Sequence, residues 1–174
     1  MLDPSLVRTM RFDIRPFRGD DLASLLVFNS SPEARRFMGG VVSKSDTVES
    51  LRAHMQSVET MGLGARAVVE RSSGSVLGYC GIQRFAGTDE FELFYGYLPT
   101  TWGRGVATEA AYALIRVARR CEAITHLVAV VHPENLASLR VLEKLQFEQS
   151  GTYLHPRWHI EHLQFKLGTG PAAV

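Results

Sequence analysis

"LPTTWGRGVATEAA", Leu98 to Ala111, sets a glycine on either side of an arginine, directly after an apolar strand-like run and directly before a helix-like one. A helix N-terminus leaves backbone N–H groups unpaired and carries the positive end of the helix dipole, so it favours an anion. Gly103 and Gly105 clear side chains from where a ligand would touch the backbone, and Ala107 keeps the first turn slim. Arg104 adds a cation at the mouth. The stretch reads as a phosphate or pyrophosphate cradle, or as a plain strand-to-helix turn in which glycine supplies unusual dihedrals. Two named cradles do not match. A nucleoside-triphosphate loop requires Gly-Lys-Ser/Thr, which is absent. A dinucleotide fingerprint requires a small third residue where this chain has Thr108, and an acid near the end of the next strand, which ends instead in Val131-His132.

Outward from the turn, the texture is strand-like before it and mixed after it. "ARAVVE", "VLGYCGIQRF" and "EFELFYGYL" are separated by the short polar turns "SSGS" and "GTD", which predicts an antiparallel three-strand meander. Earlier, Met10 to Pro16 alternates as a first strand, and "DLASLLVFN" reads as a short helix with Asp20 or Asp21 to cap it. A second helical piece is expected from Ser31-Pro32 to Gly39-Gly40. A longer helix runs from Ser45 to Met61 and stops at Gly62. After the turn, Val106 to Arg120 has an apolar side at Ala110, Leu114, Val117 and Ala118. "THLVAVV" reads as a buried strand and "ENLASLRVLEKLQF" as an amphipathic helix, and two strands close the chain at Phe147–Leu154 and His162–Leu167. This order gives a mixed α+β sheet, without regular βαβ alternation.

The 174 residues, 45% hydrophobic and 21% charged, suit one domain spanning 1–174, with residues 168–174 expected as a loose tail. A net charge of +1 gives no overall pull towards nucleic acid or an acidic membrane. Cys80 and Cys121 are too few for a disulfide framework, and no signal-peptide pattern or continuous membrane-length apolar run is present, so a cytoplasmic protein is expected.

The segment "FELFYGYLPTTWGRGVATEAAYALIRVA" resembles the strand, acetyl-CoA pyrophosphate loop and helix of the GNAT superfamily of N-acetyltransferases, with its Gln/Arg-x-x-Gly-x-Gly/Ala pattern across Trp102 to Ala107. "VHPENLASLRVLEKLQF" resembles the second CoA-proximal strand and helix, with Asn135, Ser138, Glu143 and Lys144 at the expected spacing. "RFDIRPF" and "WHIEHLQFKL" resemble the ends of the RimJ/RimL type, whose members acetylate ribosomal-protein N-termini. The resemblance covers almost the whole chain and implies a mostly antiparallel twisted sheet of about seven strands. Helices would cover both faces, and the sheet would splay between its fourth and fifth strands. Three positions depart from the pattern: Trp102 stands for Gln or Arg, Gln146 for a glycine, and Leu142 for a tyrosine that protonates the leaving thiolate in many members.

The resemblance implies acetyl-CoA as donor, held by Tyr97, Leu98, Gly103, Arg104, Gly105, Val106, Ala107, Thr108, Asn135 and Ser138. The acceptor would be a primary amine, either a protein N-terminus or a small molecule, and the enzyme a monomer or homodimer. An ammonium group must lose a proton before it attacks a thioester, and the developing oxyanion and thiolate must be stabilised. Glu92, on the strand leading to the cradle, is the candidate base, or else a solvated edge carboxylate. Ser138 is the candidate acid or thiolate donor, and it shares a helix face with Asn135, though both residue types commonly cap helices. Tyr95, Trp158 and His159 are candidate acceptor contacts, with core packing as the alternative, and His132 is a weaker acid–base candidate. In "HPRWHIEH", His155, His159, Glu161 and His162 are metal-capable types, but Glu161 and His162 would face opposite sides of a strand and no metal is expected. A silent acyl-CoA-binding sensor of the same fold is the alternative to an enzyme.

Overall fold

The computed structural model describes residues 6–85, 87–156 and 159–170. The chain opens with β1 (Val7–Arg8) and β2 (Phe12–Pro16), a 3₁₀ turn, α1 (Leu22–Ser30) and α2 (Lys44–Met61). The meander follows as β3 (Gly64–Glu70), β4 (Val76–Arg84) and β5 (Phe91–Tyr97). Next come α3 (Val106–Ala118), β6 (His126–Val131), α4 (Leu136–Lys144), β7 (Glu148–Leu154) and β8 (Glu161–Gly168).

All eight strands form one sheet in the order β1-β2-β3-β4-β5-β6-β8-β7. Every neighbouring pair is antiparallel except β5 and β6. The strand beyond the expected seven is the two-residue β1, so the expected parting lies between β5 and β6 in this count. Sequential reading does not anticipate that β8 inserts between β6 and β7.

Local chemistry explains most boundaries. α2 begins where the Ser43 hydroxyl accepts the Asp46 N–H at 3.1 Å and ends where Gly62 takes φ 70°, a left-handed C-cap. Asp21 accepts the Arg18 N–H at 2.8 Å and pairs with Arg15 through two bonds of 2.7 and 2.9 Å, fixing the entry to α1. The helix expected at 31–40 is instead a chain of turns. Pro32 donates no N–H, Gly39 and Gly40 sit at φ 78° and 85°, and the Arg35 guanidinium ties down the Met38 and Gly40 carbonyls at 2.6 and 2.9 Å. The expected loose tail does not begin at 168, because Gly168 ends β8. Thr169 is buried, its N–H donating to the Thr125 carbonyl at 3.0 Å and its hydroxyl to that of Ile124. Residues 171–174 lie outside the described residues.

Strand alternation divides the core into two layers. On one face, Phe12, Val68, Ile82, Leu93, Leu127 and Ala129 pack against Ala110, Leu114 and Ile115 of α3 and Leu142 of α4. On the other face, Ala65, Ala67 and Tyr79 pack against Leu25 and Phe28 of α1 and Leu51 of α2, with Phe94 alongside. Helices therefore cover both faces.

Candidate active site

The glycine turn is built as a left-handed pair. Gly103 and Gly105 sit at φ 73° and 75°, conformations that cost an L-residue roughly 1–2 kcal/mol. A Cβ at Gly103 would meet nothing within 4 Å, so glycine is required there for its dihedral, while one at Gly105 would come within 3.4 Å of Arg11. Gly105 is the N-cap of α3 and offers no side chain to its first turn, leaving the N–H groups of Val106, Ala107 and Thr108 without a capping side chain.

Sequence reading missed what holds this turn. Arg11, just before β2, donates from Nη1 to the Arg104 carbonyl at 2.8 Å, and its own N–H and Nε meet the Glu109 carboxylate at 3.1 and 2.7 Å. The Arg104 guanidinium is paired with Glu70 at the end of β3, so the cation expected at the mouth is engaged by a carboxylate. Trp102 donates its indole N–H to the Tyr97 carbonyl at 2.9 Å, so the residue departing from the pattern closes the loop back onto β5.

Pairing between β5 and β6 is limited to Phe91 with Leu127 and Glu92 with Val128, after which the strands part. The phase of the β4–β5 ladder is fixed by the Leu98 N–H bonded to Leu77 and the Phe85 N–H bonded to Glu90, at 3.0 and 2.9 Å. Alternation then turns the backbone groups of Tyr95 and Tyr97 away from β4 and into the gap. The Thr169–Thr125 bond likewise phases β6 and β8, so Val130 presents its backbone to the gap from the other side. Of the two residues expected to offer backbone here, Tyr97 does so by its N–H, whereas the Leu98 N–H is spent on β4. Buried peptide groups without partners are costly. An extended ligand carrying amides and ending in a pyrophosphate fits both the gap and the turn beyond it.

The pleat sorts the candidate side chains by face. Glu92 shares the α1–α2 face with Phe94 and accepts the Gln83 amide at 2.8 Å, and burial raises its carboxyl pKa above the ordinary value, against the opposing pull of Gln83. Tyr95, a candidate acceptor contact, lies on the α3–α4 face with Tyr97, their rings 6.0 Å apart. Ser138, half-buried in the first turn of α4, lies beside Tyr95. Asn135 acts as the α4 N-cap, its Oδ1 accepting the Ser138 N–H at 3.2 Å. Thr108 is half-buried in the first turn of α3.

On the Glu92 face, His132 takes the Glu134 N–H on Nδ1 at 3.2 Å, leaving Nε2 to carry the proton of its neutral form. Its ring lies 5.0 Å from Phe37 and 5.6 Å from His162, and His155 stands 5.8 Å from His162. This row of rings, unforeseen from sequence, joins the 31–42 turns to the β7–β8 connection. His159 sits exposed in that connection at φ 52°, its N–H bonded to the His155 carbonyl at 2.8 Å, and Trp158 lies outside the described residues. Among the described residues no three His, Cys, Asp or Glu side chains gather as a metal site.

Comparison with known proteins agrees with this architecture. The Acetyltransferase (GNAT) domain matches residues 11–148. YkkB of Bacillus subtilis is 29% identical over 148 residues, covering 83% of this chain and 86% of that protein. The crystal structure of an acetyltransferase from Agrobacterium tumefaciens superposes with a TM-score of 0.82 at 27% identity, covering 96% of each chain. Mycobacterium smegmatis RimJ, solved with CoA-disulfide, shares the fold at a TM-score of 0.76 and 17% identity, over 95% of this chain and 88% of its own. No helix among the described residues is long and apolar enough to cross a membrane. An acyltransferase fold, a parted parallel pair and an open helix N-terminus behind a glycine turn thus coincide in one chain, which belongs to the GNAT acetyltransferase family.

Proposed function

We propose that this protein is an acetyl-CoA-dependent N-acetyltransferase in which a primary amine attacks the thioester directly. The observation that carries the reading is the parting of β5 from β6 after Glu92 and Val128, which leaves peptide groups facing an extended slot that leads to the glycine turn. Acetyl-CoA supplies the activated acyl group. The turn N–H groups bind its pyrophosphate, Tyr97 and Val130 pair with the pantetheine amides, and a β5 N–H facing the slot polarises the thioester carbonyl. Asn135 orders the first turn of α4 beside the slot and so fixes Ser138.

Glu92 removes the proton from the incoming ammonium. Its raised pKa makes it a stronger base than an exposed glutamate, and Gln83 fixes which carboxylate oxygen points outward. Ser138, on the opposite face, donates to the departing sulfur. The acceptor enters from the Glu92 face, past the Phe37–His132–His162 rings, with His159 at its margin. A wall of aromatic and imidazole rings beside the Glu92 carboxylate suits a protein or peptide α-amine. Reduced Cys80 and Cys121 fit a cytoplasmic protein.

The turn is tested by Gly103→Glu, which puts a carboxylate where a Cβ has open space. CoA affinity measured by calorimetry should fall by more than about tenfold, the effect of roughly 1.4 kcal/mol, while the circular dichroism spectrum is retained. Function is tested by CoA release from acetyl-CoA across peptides with free N-termini, amino acids, polyamines and aminoglycosides. Tight acetyl-CoA binding with no amine-dependent release would support the sensor instead.

A further inference from the structure

Register aligns a polar row across the α3–α4 face of the sheet. Arg66 on β3 stands opposite Cys80 on β4, and Cys80 opposite Tyr95 on β5. Arg66 is nearly inaccessible and donates to the Gly62 carbonyl at 2.9 Å. At the other end, the Tyr95 hydroxyl is wholly buried and meets no partner at hydrogen-bonding geometry, although the Ser138 side chain lies beside it. Leu142, where the resemblance would place a thiolate-directed tyrosine, is fully buried in the apolar core and offers no hydroxyl.

A buried phenol without a partner is costly, so its proton is best used on a neighbouring acceptor. We propose that Tyr95 is a positioning residue for the leaving thiolate: its O–H donates to Ser138 Oγ, which turns the serine proton towards the CoA sulfur. This rests on the acetyl-CoA reading above. As the C–S bond breaks, its electron pair goes to sulfur, and the proton that completes the thiol is the one shed by the attacking nitrogen. Neither hydroxyl is consumed. Burial raises the Tyr95 pKa, and Ser138 only partly opposes it, so the phenol stays a donor across the working range of pH. Tyr95 thereby restores, from β5, the hydroxyl that Leu142 removes from α4.

The test compares CoA with desulfo-CoA by calorimetry from about pH 6 to about pH 9, a range that spans ordinary thiol ionisation. The wild type should prefer CoA, increasingly so as pH rises. Tyr95→Phe keeps the ring and should lose about tenfold of that preference, the scale of one hydrogen bond to an ion, without changing desulfo-CoA affinity. Ser138→Ala should lose as much, and the double variant no more than Ser138→Ala alone. Equal weakening for both ligands in Tyr95→Phe would indicate packing and overturn the proposal, as would losses that add in the double variant. A wild type that binds both ligands equally at every pH overturns this inference while leaving the acetyltransferase reading intact, whereas failure to bind either ligand overturns both.

Discussion

Glu92 illustrates how one residue couples stability to chemistry. Its folded pKa is raised by burial, so its contribution to stability is complete below the unfolded-state pKa and is lost as pH rises through the folded value. Above that value the folded chain carries a poorly solvated carboxylate. Glu92→Gln should therefore melt at a higher temperature than wild type at pH 7, with the difference vanishing in acid, while acetyl transfer falls about 10²–10⁴-fold, the usual worth of a general base. Thermal melts at several pH values together with CoA-release assays check both halves. The separation of Glu92 from Tyr95 was itself legible, since residues three apart on a strand face opposite ways. The proximity of Tyr95 to Ser138 was not legible, because it depends on how α4 docks over β5.

At the scale of elements, the glycine turn and the helix after it could be read from spacing, because left-handed dihedrals and helix starts are local properties. The clamp on the turn could not, since Arg11 lies 98 residues from Glu109 along the chain. Arg11→Ala should cost about 1 kcal/mol of stability or less, as exposed pairs usually do, yet weaken CoA binding several-fold by freeing the Arg104 carbonyl and letting the turn shift. Unchanged CoA affinity would confine Arg11 to a surface role. The 31–40 segment went the other way. A helical piece is expected there, but the proline, the paired glycines and the Arg35 bonds to carbonyls favour consecutive turns that carry Phe37 to His132.

Across the whole molecule, the order of element types followed from sequence, while the position of β8 between β6 and β7 follows from long-range pairing that no local pattern encodes. A half-buried imidazole ties α2 to this sheet. His54 accepts the Ala65 N–H on Nδ1 at 3.3 Å and stacks on Phe94 at 6.1 Å, and burial lowers its pKa. The unfolded chain thus takes up this proton first, so stability declines as pH falls from about 6.5 towards the lower folded value. His54→Gln should flatten the loss of melting temperature between about pH 7 and about pH 5. The parting of β5 and β6 has a further consequence for the chain as a whole. The β5–β6 ladder joins the five-strand half of the sheet to the three-strand half by two residue pairs, so the sheet is short of one strand there, and under the proposed reading the acyl donor would supply it. Donor binding would then complete the fold: a saturating ligand at a hundred times its dissociation constant adds about 2.7 kcal/mol to unfolding, and amide exchange should slow most along Leu93–Tyr97 and Ala129–Val131, the two edges left bare.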